Sequence, residues 1–495
     1  MRSKAPFKCI GDSMMLQDLV ALLPLVVIAA TSIVVMLSIA IRRSHNLAAA
    51  VTVLGLCGAF ASLFVAESSA PHKVTPLLLI DSTALFYTGL ILAGCIAVTF
   101  LCYGYFKRQE SSRPEELYVL IAIAALGSAT LVSAIHFASL FLGLEILSVA
   151  LYGLVSYERD LKVSVEAGVK YLVLAAASAS FLLFGMALAY FELGTMEFGK
   201  IPGAAARPDV QPVVLAVGGV LILVGIGFKL ALVPFHMWTP DVYEGAPAPV
   251  TAFVATVSKG AMFALLLRYV DQSGALNSSA VLLVFSIIAV ASMFAGNLLA
   301  LLQSNVKRIL AYSSIAHLGY LIVAFEAGGD MARFAVAFYL VAYFATMLGA
   351  FGVVTILSTP GNDIGDLASY RGLFWRRPVI AGVFTVMLLS LAGIPLTAGF
   401  IGKFYVVAAG ASALLWVLVF SLVITSAIGL FYYLRIIVAL YSHQEGPVAA
   451  SPRSRQEGSF SFAWTVGVLT VAVIAIGCYP SPVLRLIQNM ITGSE

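Results

Sequence analysis

Residues 212–270 read PVVLAVGGVLILVGIGFKLALVPFHMWTPDVYEGAPAPVTAFVATVSKGAMFALLLRYV. Two apolar runs, 212–238 and 248–270, flank a short polar turn. Each is long enough to cross a ~30 Å hydrocarbon core as a helix of about 20 residues. A bilayer admits only helices or closed barrels, because every backbone polar group must be satisfied internally. A barrel strand would alternate over about 10 residues, and these runs are continuous. Each run carries a lysine, Lys229 and Lys259, and the first is broken by Pro234.

The rest of the 495-residue chain repeats this pattern: 61% of residues are hydrophobic, the mean hydropathy is +1.01, and only 11% are charged. Soluble domains carry about 25% charged residues, so water-facing domains are excluded. The chain reads as an all-α polytopic membrane protein. A net charge of +4, scattered along the chain, excludes nucleic-acid binding and leaves membrane lipids as a contact. The five cysteines form no CxxC pair and no metal-ligand spacing, so neither a metal site nor an iron–sulfur cluster is expected in this chain. The first apolar run, Leu16–Ile41, is too long for a signal-peptide core and is expected to be retained. The polar Met1–Ser13 stretch precedes it, with Met14 or Met15 as alternative starts.

Hydropathy predicts about fourteen spans: 16–41, 46–66, 77–105, 116–135, 136–157, 164–191, 212–238, 248–270, 277–302, 308–326, 331–358, 378–406, 411–441 and 461–480. Span 12 repeats the theme of span 7: Pro395 interrupts LAGIPLTAGFIGKFY, and Lys403 follows. Proline removes a backbone donor, so the carbonyls of Leu230 and Leu391 are expected to be free, the first beside Lys229. Irregular backbone at membrane depth survives only where protein or a water cavity satisfies it. The two breaks fall on segments of opposite direction, which suggests inverted five-helix repeats over spans 4–8 and 9–13. Two incidental proline kinks are the competing reading. The segments are then a 1–15 extension, spans 1–3 over 16–115, one repeat over 116–271, its inverted partner over 272–442, and a polar loop with span 14 over 443–495. Loops on the termini side hold nine Lys and Arg and opposite loops fourteen, which predicts periplasmic termini in a bacterial inner membrane.

Five basic residues remain inside spans: Lys170, Lys229, Lys259, Lys403 and Arg435. A charge at the bilayer centre costs on the order of 2.5–3.5 kcal/mol on insertion scales, so these side chains must face protein or water. Glu145, mid-span in SLFLGLEILSVAL, is the acidic counterpart, with packing alone as the alternative. Burial penalises an ammonium and a nearby carboxylate favours it, so a buried lysine with a movable acidic partner can load and release a proton. Lys170 lies near a span end, where snorkelling to the interface competes with a transport role. Arg435 reads as a snorkelling anchor. His317, in SSIAHLGYL, could carry protons or satisfy a hydrogen bond. His236 follows the first break, where interfacial bonding is an equal alternative. His136, His236 and His317 have no spacing that supports a haem. Asp241 and Glu244 either funnel protons or solvate a rigid turn.

The runs KLALVPFHMWTPDVYEGAPAPVTAFVATVSKGAMFALLLR, FLGLEILSVALYGL and SNVKRILAYSSIAHLGYLI closely resemble the proton-translocating antiporter-like subunits of respiratory complex I and Mrp-type antiporters. The resemblance covers nearly all the spans. The HxWTPDVYxGAPAPV wording and a lysine at 403 are similar to the N type of bacterial NADH–quinone oxidoreductase subunits, where the M type would carry glutamate. The resemblance implies a proton relay in which Glu145 tunes Lys229, Lys259 connects and Lys403 is the terminal lysine. Lys170 and His317 match a further span-6 lysine and the histidine of the polar axis. It also implies a translocase subunit without a cofactor of its own. FMN, iron–sulfur clusters and quinone would belong to partner subunits, and the neighbours would be other membrane-arm subunits, antiporter-like ones included. The alternative it carries is a subunit of a Na⁺(K⁺)/H⁺ antiporter. The N-terminal extension and the His443–Ser459 insertion depart from the family pattern without touching the expected path.

Overall fold

A computed structural model describes residues 16–108, 113–358, 363–443 and 459–493. The 1–15 extension and all but the ends of the His443–Ser459 insertion lie outside these residues. In chain order the helices are α1 (Leu23–Ile41), α2 (His45–Ala66), α3 (Ser82–Lys107), α4 (Glu115–Ser133), α5 (Phe137–Val155) and α6 (Lys162–Leu193). They continue with α7 (Pro212–Leu230), α8 (Trp238–Gly245), α9 (Ala248–Ser273), α10 (Ser279–Leu301), α11 (Val306–Ala327) and α12 (Gly329–Leu357). The last are α13 (Pro378–Ala392), α14 (Ala398–Ser412), α15 (Trp416–Tyr441), α16 (Ser459–Cys478) and α17 (Ser481–Thr492). Twelve described helices are long and apolar enough to cross a membrane, or 13 if α16 and α17, bent by 81°, form one span. The two halves of the expected span 12, α13 and α14, are shorter apolar helices.

Local chemistry sets the boundaries. Span 3 starts later than expected, at Ser82, because Asp81 accepts the Ala84 N–H at 2.7 Å as an N-cap. The residues before it form an antiparallel hairpin of β1 (His72–Val74) and β2 (Leu78–Ile80). The 116–157 run divides at Ala134, whose extended backbone bridges to Leu78. His136 then caps α5, its Nδ1 accepting the Ala138 N–H at 3.0 Å. α15 starts at Trp416 rather than 411, because α14 persists to Ser412 and closes with Leu414 at φ 58°.

Arginines hold two helix ends. Arg108 donates to the carbonyls of Thr355 and Ile356 at the end of α12. Arg435, expected to snorkel, instead donates to the carbonyls of Leu301 and Gln303 where α10 ends. Cations are favoured at C-terminal carbonyls, and that attraction turns the guanidinium inward. Two further cations expected in loops are buried in ion pairs. Arg268 grips Asp81 at 2.6 and 2.9 Å and donates to the Val132 carbonyl, joining α9 to α3 and α4. Lys307 pairs with Asp363 at 2.7 Å and donates to the Ala246 carbonyl at the turn between α8 and α9.

The core sits on α9 and α11, whose apolar windows are each 94% buried, against 33% for α1, α6 and α10. Those two innermost helices carry Lys259 and His317.

Candidate functional site

The first break is a helix end closed by backbone bonds. α7 stops at Leu230 with Ala231 in the left-handed region at φ 59°. The Ala231 N–H donates to the Phe228 carbonyl at 2.9 Å and the Leu232 N–H to the Gly227 carbonyl at 2.9 Å. This is a Schellman pairing, and Pro234 comes after it rather than inside the helix. Pro234 therefore does not make the break by removing a bond within α7, and Lys229 does not serve a freed Leu230 carbonyl. Its ammonium, 3% exposed, donates to Ser148 Oγ at 3.0 Å and to the Tyr171 hydroxyl at 2.9 Å, 5.5 Å from the centre of the Tyr171 ring. Glu145 lies one turn before Ser148 on α5, half-buried and within electrostatic reach of Lys229. Among the described residues the two form no direct ion pair; Ser148, which Lys229 binds, lies on the same face of α5 as Glu145.

At the centre, residues Val254–Ser258 of α9 form a π turn immediately before Lys259. Such turns break the regular ladder and recur at functional sites. Lys259, 1% exposed, donates to Ser314 Oγ at 2.7 Å and lies 5.4 Å from the Tyr243 ring centre. Ser314 also meets the hydroxyls of Tyr343 at 2.7 Å and Tyr243 at 3.3 Å. One turn on, His317 bonds Tyr339 through Nδ1 at 2.6 Å and Tyr433 through Nε2 at 3.2 Å. Its ring lies 5.6 Å from that of Tyr343.

The second break repeats the first. α13 ends at Ala392, Gly393 stands at φ 84°, its N–H reaches the Ser390 carbonyl, and the Ile394 N–H reaches that of Leu389 at 3.0 Å. Pro395 again follows the cap. In the first break a residue of the next segment, Trp238, donates through Nε1 to the Phe228 carbonyl at 3.0 Å. In the second, Lys403 reaches back from α14 to the Ala392 carbonyl at 2.9 Å and to Ser426 Oγ at 2.7 Å, 5.2 Å from the Tyr320 ring centre. Helical side chains tilt toward the N-terminus, so Lys403 serves the break itself although its Cα lies eight residues after Pro395. Gly393 makes this possible: a Cβ there would sit 2.8 Å from Lys403 Cδ. A cavity of about 10 Å³, lined by His317, Tyr339, Tyr343, Thr346, Ser390 and Gly399, joins the histidine to this break. It is the size of one water.

Residues 134–429 match the NADH:quinone oxidoreductase/Mrp antiporter transmembrane family. The chain belongs to that family. It is 50% identical over 484 residues to NADH-quinone oxidoreductase subunit N of Ectopseudomonas mendocina (strain ymp), covering 96% of both chains. A chain of respiratory complex I from Thermus thermophilus superposes with a TM-score of 0.78 at 34% identity, over 93% of this chain and 98% of that one. A chain of the Mrp complex from Dietzia sp. DQ12-45-1b shares the fold, with a TM-score of 0.84 at 19% identity over 97% of this chain and 98% of that one. The protein is thus a homologue of subunit N, and its fold is that of complex I membrane-arm and Mrp chains.

In this NADH:quinone oxidoreductase/Mrp family member Lys170 stands apart from the buried line. Its side chain is 44% exposed and pairs with Glu166 and Asp241, each at 2.8 Å. Asp241 also binds Arg308, which reaches Glu244, so these two acids, on the short helix α8 rather than in a turn, are tied into a rim network. Burial raises the Asp241 carboxyl, but the bonds from Lys170 and Arg308 outweigh it and hold the group below its ordinary range. His236 is buried within the first break rather than at an interface. Among the described residues no cluster of His, Cys, Asp and Glu could hold a metal ion. The sequence places Ser313 and Ser314 one turn before His317. Missing from the sequence reading were the other uncharged partners: Ser148, Tyr171, Tyr339, Tyr343, Ser390 and Tyr433. Their signal was weak but present, as hydroxyls one turn apart in apolar helices, such as Tyr339 and Tyr343.

Proposed function

We infer that this subunit N homologue moves protons through Glu145, Lys229, Lys259, His317 and Lys403, coupled to quinone reduction in partner subunits. One observation carries the reading: three lysines and a histidine lie inside the chain with hydroxyls and a carbonyl as partners and, among the described residues, no carboxylate in contact. A hydroxyl both donates and accepts, so it can hand a proton on from either neighbour. A proton held by Lys259 has Ser314 and then Tyr343 as its next groups, with His317 beside them. From His317 the one-water cavity leads to Ser390 and the second break, where Lys403 waits. Glu145, by its charge, sets how tightly Lys229 holds its proton, and Lys170 regulates the rim through Asp241.

The matched family supports two inverted repeats, spans 4–8 and 9–13 over 116–271 and 272–442. The paired Schellman ends support them too, and a fourteen-span count follows if α13 and α14 are one broken span and α16 and α17 another. In this reading the chain sits in the bacterial inner membrane with both termini periplasmic. FMN, iron–sulfur clusters and quinone belong to partner subunits, so coupling reaches this chain by conformation or charge. The Mrp fold likeness favours a second reading, cation/proton antiport. Inverted membrane vesicles distinguish them: Lys259→Met in the assembled complex should lower protons translocated per NADH without sodium dependence. Wild-type stoichiometry in that variant overturns the relay. A flux that requires Na⁺ or K⁺ selects the antiporter.

A further inference from the structure

Two branches leave His317. One is the cavity toward Ser390. The other is a polar branch: His317 Nε2 meets the Tyr433 hydroxyl at 3.2 Å, the Tyr433 ring lies 4.4 Å from that of Tyr432, Tyr432 donates to Asn297 Oδ1 at 3.0 Å, and Asn297 Nδ2 donates to the Tyr320 hydroxyl at 2.9 Å. Its far end, the Tyr320 ring, lies beneath the Lys403 ammonium. This second branch therefore leads from the central histidine toward the terminal lysine.

Its one non-hydroxyl member is the carboxamide of Asn297, 1% exposed. The orientation of that amide is fixed. Nδ2 also donates to the Met293 carbonyl at 2.8 Å, and a carbonyl can only accept. Oδ1 must therefore face Tyr432, which donates to it. Passage of a proton would require Oδ1 to gain one from Tyr432 while Nδ2 loses one to Tyr320, leaving an imidic acid. Resetting that tautomer needs the amide to rotate, which the Met293 bond opposes. The chain has also made room for the amide: a Cβ at Gly429 would lie 2.8 Å from Asn297 Oδ1 and 3.3 Å from the Tyr432 hydroxyl.

We propose that Asn297 is a positioning residue that insulates the Tyr432–Tyr433 branch from Tyr320, so that protons pass from His317 to Lys403 only by way of the Ser390 cavity. The proposal rests on the relay reading above. An insulator here confines traffic between centre and outlet to the cavity route, whose volume of about 10 Å³ has room for no more than one water.

The test uses the assembled complex in sealed inverted vesicles, with assembly checked on native gels. Asn297→Asp places an exchangeable O–H in the branch. Passive proton conductance without NADH should rise severalfold, and protons pumped per NADH should fall while NADH oxidation continues. Asn297→Leu removes the same hydrogen bonds but supplies no proton carrier, and its membranes should stay tight. Aspartate membranes as tight as wild type, or equal leaks in both variants, overturn the insulator. Tyr432→Phe gives an independent answer should the aspartate variant fail to assemble. Protons do not cross that branch, so pumping per NADH should be unchanged, and a clear loss overturns the proposal. The Lys259→Met variant in the same assay reports on the relay alone, so failure of one idea is separable from failure of the other.

Discussion

Lys229→Met separates a lysine kept for transport from one kept for stability. The ammonium is almost fully buried, with Ser148 and Tyr171 at 3.0 and 2.9 Å and the Tyr171 ring at 5.5 Å. Hydrogen bonds to a charged group contribute about 1.5–3 kcal/mol each, and a desolvated cation–π contact about 2 kcal/mol. Against them stands an effective desolvation penalty of several kcal/mol for a buried ion. The opposing contributions nearly cancel. Methionine has the same reach without the charge, and the two hydroxyls left behind are less costly to leave than an unpaired ion. The expected stability change is therefore within about 2 kcal/mol of zero, in either direction. Proton translocation per NADH should fall, because Glu145 would have no lysine to act on. Thermal disassembly of the purified complex measures the first quantity, and inverted vesicles the second. A stability loss well above about 3 kcal/mol would make Lys229 a structural charge. Wild-type pumping in the assembled variant would refute the reasoning outright.

Arg268→Met should behave in the opposite way: it strands Asp81 in a buried site and should cost about 3–5 kcal/mol in thermal stability, much of which Asp81→Asn with Arg268→Met recovers. Ala231→Gly relieves a left-handed alanine and should raise stability by about 0.5–1 kcal/mol in the same assay, since the strain of about 1–2 kcal/mol exceeds the entropy cost of glycine. Gly393→Ala works the other way, adding that strain and pushing on Lys403, so both melting temperature and pumping should drop. The Asp241 carboxyl is held low, so its contribution is present above the ordinary carboxylate range and is lost as pH falls through its depressed value, below about pH 4. Asp241→Asn should flatten that acid limb in a pH series of thermal unfolding, and an unchanged limb would mean that the rim network does not titrate there.

The charged members of the site were legible in the sequence because isolated charges are conspicuous in apolar runs. Lys403 is the only charge between Arg377 and Arg435, and Lys229 the only one between Asp209 and Asp241. The breaks were legible through their prolines, yet the cause was misassigned. Each helix is ended by a left-handed residue one position past its last turn, and alanine at 231 gives no compositional warning of that conformation. The reach of Lys403 back to Ala392 was invisible because residue count along a helix gives the height of a Cα, not where a long side chain ends. Lys170 could be matched to the relay because Asp241, which with the i,i+4 neighbour Glu166 holds it at the rim, reaches it only in the fold.

The two treatments of charge in this chain follow from what each must do. Arg268 and Lys307 are buried beside carboxylates at 2.6 and 2.7 Å. Such direct pairing suits a joint between helices, because removing one partner would leave the other charge buried and unpaired. Lys229, Lys259 and Lys403 are given hydroxyls, aromatic faces and a carbonyl instead. Those groups accept hydrogen bonds from the ammonium without supplying a counter-charge. In the proposed relay, a carboxylate in direct contact with any of the three would act as a fixed joint and oppose transfer. Glu145 acts within electrostatic reach of Lys229, a turn away along α5 from the serine that the lysine binds. In the proposed relay it would tune the lysine as its own charge or position changes, which a fixed salt bridge could not do.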